Sequence, residues 1–421
     1  MTLAEWLELL QHRHHRAIDL GLERVERVRR AQSLQLDIPL VIVGGTNGKG
    51  SICALIDAAL NAAGFRCGCY LSPHLLRFNE RVRIGGIDAD DEQLLAAFDK
   101  TERARKAADA SLTYFEFTTL AAAQCIADSG CDCAVLEVGM GGRLDAVNLF
   151  NPAAAVVNNV GLDHCEFLGD TIDAIAREKA GIFRPNAAAI IGDAKAPPVL
   201  AQCAEAAGAE VAIAGRDFSA VDAGEGLWHF HGRRRKLYSL PPPVFNGAHQ
   251  LHNAAVAVAA LESLPDAFWP GIGAVRRSLR TARLAGRAQV LPGLPATVID
   301  VAHNADSAAA LEKFLFRMGY FPRTFAIFGM QARKDSAAAV AALRRRVDHW
   351  FICRPEGGDG DVETLAAVVK DGGGEATCCG DVKDAVLRAR AAADKNDRIV
   401  IAGSFLVVAD FLQLEDGRKK A

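Results

Sequence analysis

Residues 45–51 read Gly45-Thr46-Asn47-Gly48-Lys49-Gly50-Ser51 and follow directly on the apolar run Leu40-Val41-Ile42-Val43. Glycines there let backbone N–H groups close on phosphate oxygens, a following helix N-terminus favours anions, and Lys49 adds a cation. The common phosphate-loop spacing fits imperfectly: position 43 is Val, position 50 is Gly, and the hydroxyl arrives one step late at Ser51. The order strand, glycine turn, lysine, hydroxyl, helix still points to a bound nucleoside triphosphate. The alternative is a glycine-rich turn with a solvated lysine.

Four further places could carry chemistry. Glu137 ends a strongly apolar run before Gly139-Met140-Gly141-Gly142. A carboxylate at a strand tip beside a nucleotide loop suits magnesium, which prefers oxygen and keeps phosphate and water ligands; otherwise it caps the glycine turn. His164, in Asn158-Asn159-Val160-Gly161-Leu162-Asp163-His164, is either a second metal ligand through a neutral imidazole or a hydrogen-bonded structural histidine. Lys179 stands at a helix end and by itself reads as a surface lysine helping the C-terminus. Asp300, in Asp300-Val301-Ala302-His303-Asn304, either accepts ribose hydroxyls, with His303 reaching phosphate, or forms an Asx turn.

The elements that would position these residues alternate. Strands are expected at 40–43, 67–71, 133–138, 154–158 and 188–191, with helices at 51–60, 91–108, 115–127 and 253–264, and one helix through most of 2–30. Such alternation predicts an α/β fold: a mostly parallel sheet with helices on both faces and its ligands at the carboxyl ends of the strands. A small antiparallel excursion is expected at 211–245. A second βα series from 296 predicts a smaller Rossmann-like α/β domain, giving domains at 1–286 and 290–421.

The 421 residues are 50% hydrophobic and 24% charged with a net charge of −3, which gives no general pull toward nucleic acid or an anionic membrane. No apolar stretch reaches the ~18 residues that would span a bilayer, and the N-terminus does not read as a signal peptide. Eleven cysteines without zinc-site spacing suggest free thiols in a reducing cytoplasm. His12, His14 and His15, among arginines, read as an exposed helix face; the runs 233–236 and 344–346 read as solvated surface.

The segments 45–51, Leu71-Ser72-Pro73-His74-Leu75, Asn79-Glu80-Arg81-Val82, 137–146, Arg177-Glu178-Lys179-Ala180-Gly181-Ile182 and 300–304 together resemble the folylpolyglutamate synthase/dihydrofolate synthase group of Mur-type amide ligases. The resemblance runs from about residue 20 to 405. It implies an ATP-dependent ligase that phosphorylates a pteroate or folate carboxylate and lets the amine of L-glutamate attack the acyl phosphate. It implies that Thr46, Asn47, Gly48, Lys49, Gly50 and Ser51 hold ATP phosphates, that Ser51 and Glu137 hold one Mg2+, and that His164 and a carbamylated Lys179 hold a second. It also admits a K+ ion. Asn253, Arg287, Asp300 and His303 would touch the nucleotide, while Ser72, Pro73, His74 and Arg81 would border the substrate. A monomer acting on small molecules is implied. The sequence departs from the family pattern at Val301, Ala305, Ala332 and Arg333. Two other readings stand beside it: a Mur-type cell-wall ligase, and a nucleotide switch that is no ligase.

Overall fold

The structure is a computed structural model and describes residues 1–16 and 18–420. The chain divides into two compact units. One comprises Met1–Val244 and Leu251–Arg283, the other Phe245–Gln250 and the chain from Leu284 onward.

The first unit is built on eight strands: β1 (Leu40–Gly44), β2 (Cys67–Tyr70), β3 (Val82–Ile84), β4 (Ile87–Asp88), β5 (Cys133–Glu137), β6 (Ala154–Val157), β7 (Ala188–Ile191) and β8 (Glu210–Ile213). They lie in the order β4-β3-β2-β5-β1-β6-β7-β8. From β2 to β8 all neighbours are parallel, and β3 and β4 add an antiparallel edge. Every residue of β1 and β5 is buried, as expected of central parallel strands covered by helices. The helices Lys49–Ala62, Asp91–Ala107 and Tyr114–Asp128 lie close to their expected positions. The last is fixed at its start by a capping box, in which Thr113 N donates to Glu116 Oε2 and Glu116 N donates to Thr113 Oγ1.

Three expectations change. The single helix over 2–30 is two, Leu3–Arg13 and Glu23–Ala31; Ala17, within the expected helix, lies outside the described residues. The first helix ends where His14 turns extended (φ −96°, ψ 141°). His14 is therefore not on an exposed helix face: its ring is covered and meets Ser111 Oγ at 3.0 Å and Asp19 at 3.3 Å. The antiparallel excursion starts later than 211, because Glu210–Ile213 is the parallel edge strand β8. The excursion itself is a three-stranded sheet, β9 (Ser219–Gly224), β10 (Leu227–His231) and β11 (Lys236–Leu240).

The second unit carries β12 (Gln289–Leu291), β13 (Ala296–Ile299), β14 (Thr324–Phe328), β15 (His349–Ile352), β16 (Glu375–Cys378) and β17 (Arg398–Ala402). Their order is β12-β13-β17-β14-β15-β16, parallel except for β12. The expected series began at β13; the edge strand β12 precedes it, too short and too exposed to show an apolar run.

The N-terminal helix is anchored by aromatic rings. Trp6 stacks on Phe117 at 5.8 Å, and Phe98 meets Phe117 edge-on at 5.4 Å. Phe117→Ala should lower the unfolding free energy of this unit by about 3–5 kcal/mol, read from denaturant midpoints; a loss below about 1 kcal/mol would show that the cluster does not anchor the helix.

Candidate active site

Register brings the chemistry to one edge of the first sheet. β1 lies between β5 and β6, with Val43 opposite Glu137 and Gly44 opposite Val157. The loop after β1, the carboxylate ending β5 and the asparagines after β6 therefore leave the sheet at the same level.

The loop is shaped by glycine. Gly45 has φ 135° and Gly48 φ 87°, values that disfavour a side chain. A Cβ on Gly48 would sit 2.5 Å from Asn158 Nδ2 and 2.7 Å from Asn253 Oδ1, so the backbone is drawn close to both side chains. Lys49 and the buried Gly50 and Ser51 open the following helix. Lys49 Nζ donates to Gly45 O at 3.1 Å and Thr46 O at 3.2 Å, folding back over the cradle. Asn158 Nδ2 donates to Asn47 O at 2.9 Å and to Asn253 Oδ1 at 3.0 Å, which joins Asn253 to the loop. Ser51 Oγ is buried with no hydrogen-bond partner among the described residues.

Charges are crowded and desolvated here. Lys179, expected on the surface from its position alone, is 4% exposed. Burial pushes its amine down to about 7; the Lys49 cation pushes the same way and Asp163 opposes both. Asp145 accepts the amides of Met140 at 2.9 Å and Val147 at 3.0 Å, fixing the glycine turn after Glu137. Burial pushes its carboxyl up to about 6, against those amides and Lys49. Glu137 is 5% exposed and accepts Ser72 N at 3.0 Å. His164 sits in the left-handed region (φ 53°), its Nε2 3.9 Å from Asp163 Oδ1. Among the described residues no three His, Cys, Asp or Glu side chains gather as a metal cage. A divalent ion here would need other oxygen ligands, which phosphate and water supply for Mg2+. The buried, unpartnered Ser51 hydroxyl and the buried Glu137 fit that donor set.

The segment expected as one loop over 71–83 is a loop only to residue 77; a 3-10 turn at Phe78–Arg81 leads into β3, and carboxylates hold the loop. Ser72 is tied to Glu137, Pro73 is exposed, and Glu80 accepts the amides of Leu75, Leu76 and Arg77 at 2.8 Å each. Arg81 Nε donates to His74 Nδ1 at 2.8 Å, and its guanidinium lies 5.5 Å from the Phe78 ring and 5.4 Å from the Tyr114 ring. Burial, then the Arg81 charge, pushes His74 down to about 4, so its ring is neutral at pH 7 and can accept that bond.

In the second unit, Asp300 accepts Ala302 N at 2.7 Å, the Asx-turn arrangement, and its other oxygen accepts Ala288 N at 2.7 Å. Desolvation raises its carboxyl above the usual range. His303 Nδ1 contacts Val301 O at 2.9 Å. Its ring centre is 5.7 Å from that of Phe405, over which the Arg287 guanidinium also lies at 5.6 Å. Phe405 as a shared platform was missed from sequence, as were Asp145, Glu80 and Asn159: each supports a site residue, and none carries a sequence mark of that work.

Residues 43–261 match the family model for the Mur ligase middle domain, and residues 286–405 that for the Mur ligase glutamate ligase domain. The dihydrofolate synthase/folylpolyglutamate synthase of Escherichia coli (strain K12) is 37% identical over 418 residues, covering 99% of this chain and 96% of the relative. The structure of E. coli FolC in complex with DHPP and ADP superposes with a TM-score of 0.92 at 36% identity, covering 100% of this chain and 99% of the other. A bifunctional folylpolyglutamate synthase/dihydrofolate synthase with Mn, AMPPNP and L-glutamate bound gives 0.89 at 37% identity, with 99% and 98% covered.

The buried Lys179 has a pH signature. An amine whose value falls from 10.5 unfolded to about 7 folded penalises the native state fully below pH 7, and the penalty fades as pH rises to 10.5. Lys179→Met should therefore gain most stability over the parent below pH 7, with the gap closing toward pH 10.5 in denaturation series across pH. A gap independent of pH would contradict the burial of a titrating amine.

Proposed function

The chain belongs to the Mur ligase family, in its folylpolyglutamate synthase/dihydrofolate synthase branch, and from that membership we propose how its residues join L-glutamate to dihydropteroate and to reduced folates at the expense of ATP. A carboxylate is a poor electrophile; phosphorylation gives it a leaving group that the glutamate amine displaces. The obstacle is that the carboxylate must approach a triphosphate, anion to anion, so cations and amide dipoles must gather the charge.

In this reading the amides opening the helix Lys49–Ala62 hold phosphate oxygens, and Lys49 swings from the Gly45 and Thr46 carbonyls onto the phosphates. Ser51 and Glu137 would hold one divalent ion and His164 and Lys179 a second; bound there, the metal neutralises phosphate charge and orients the transferred group. Lys179 takes part as a carbamate. Its depressed amine is substantially neutral near pH 7, so Nζ can attack CO2, forming an N–C bond and releasing one proton. The product is an anion, which relieves the repulsion from Lys49. Asn253 in the first unit, and Arg287, Asp300 and His303 in the second, are assigned to the nucleotide. Ser72, Pro73, His74 and Arg81 are assigned to the pteroate or folate. K+ and a monomeric state carry over from the resemblance alone. A cytoplasmic location is inferred from eleven free cysteines; among the described residues no helix is long and apolar enough to cross a membrane.

The observation that carries the site assignment is the register that sets buried Glu137 beside the phosphate loop. ADP release should require both L-glutamate and dihydropteroate or a folate, and Glu137→Gln should cut it by about a hundredfold or more. Turnover without glutamate would point to a nucleotide switch, turnover only with a cell-wall precursor to the other ligase class, and full activity of Glu137→Gln would remove the metal assignment. With 13C-bicarbonate, a carbamate resonance should be present and should vanish in Lys179→Ala; its absence from the active parent enzyme would dismiss the modification.

A further inference from the structure

We propose that Asn159 is the positioning residue that pre-sets the phosphate loop, and that it does so by withdrawing the amides of Thr46 and Asn47 from phosphate binding. Asn159 Oδ1 accepts both, at 3.1 Å from Thr46 N and 2.8 Å from Asn47 N, and the main-chain oxygen of Asn159 also accepts Thr46 N at 3.0 Å. The next residues complete a strap. Gly161 N donates to Thr46 Oγ1 at 2.9 Å, and Thr46 Oγ1 donates to Gly161 O at 3.3 Å. Asn158 Nδ2 holds Asn47 O on the other side of the same peptides.

The consequence is a division of labour inside the loop. The amides of residues 46 and 47 are spent on shape. Phosphate oxygens are left to the amides of Gly48, Lys49, Gly50 and Ser51, where the helix N-terminus presents donors without intrahelical partners. A loop ordered before the nucleotide arrives loses less conformational freedom on binding. This inference rests on the nucleotide reading above and refines it: Thr46 and Asn47 serve the site through Asn159 rather than through their own amides.

Residue-resolved hydrogen exchange on the full chain, with and without ADP and Mg2+, tests it. The Thr46 and Asn47 amides should be protected in the nucleotide-free protein and unchanged by ADP, whereas those of 48–51 should gain protection. Asn159→Ala should expose the Asn47 amide before any nucleotide is added, Thr46 N keeping the main-chain oxygen of residue 159, and weaken ADP binding about tenfold. Asn159→Asp keeps the acceptor oxygens and should keep the protection, which decides the matter should the alanine variant fold poorly. Protection of Thr46 and Asn47 that appears only with ADP, or protection of Asn47 that survives in Asn159→Ala, would overturn the proposal, as would its loss in Asn159→Asp. If no loop amide responds to ADP, the nucleotide reading fails instead, and the nucleotide-free comparison of parent and variants still judges Asn159.

Discussion

Repulsion between two anions, a carboxylate and a triphosphate, is the constraint to which the strand tips of the first unit answer. In water the two would stay apart; in a desolvated pocket they repel more strongly unless fixed dipoles and cations are already in place. In the proposed site the glycine turn at 45–48, the helix that starts at Lys49 and the lysine itself would provide these in seven consecutive residues. Gathering positive charge has its own difficulty, since Lys49 and Lys179 disfavour each other. Burial eases this by lowering the Lys179 amine to about 7.

The supporting residues act through backbone amides. Asp145 pins the glycine turn after Glu137, Glu80 gathers the three successive amides of residues 75–77, and Asn159 takes two from the loop after β1. Glu137, the proposed metal ligand, also accepts Ser72 N. The segment bearing Ser72, His74 and Arg81 is thereby tied to that carboxylate. In the second unit the same economy recurs at Asp300, whose two oxygens fasten the turn that leads to His303.

What the sequence made legible follows the range of the interactions. The glycine turn at 45–48 and the helix start at Lys49 were readable because glycine conformation and helix start are local. The parallel strands were readable because burial on both faces leaves continuous apolar runs, as in Leu40–Gly44 and Cys133–Glu137. Lys179 was misplaced on the surface when taken alone, because its burial is decided by packing that no neighbouring residue announces. The break near His14 and the parallel pairing of β8 were lost for the same reason: one depends on ring contacts to Ser111 and Asp19, the other on a neighbour strand. Glu80, Asp145 and Asn159 stood inside quoted motifs, yet acceptance of amides leaves no mark in residue type beyond the polar atom itself. Asp300 satisfies the turn reading in its geometry, and its nucleotide role remains a proposal tied to the family.

The most direct test of the central claim follows oxygen. With dihydropteroate labelled with 18O in its carboxylate, transfer of the phosphoryl group to that carboxylate and its displacement by the glutamate amine must leave one labelled oxygen in the released phosphate. Mass spectrometry of that phosphate should show it, in step with product formed. Amide product accompanied by unlabelled phosphate would contradict an acyl phosphate, and with it the view that this site exists to bring two anions together.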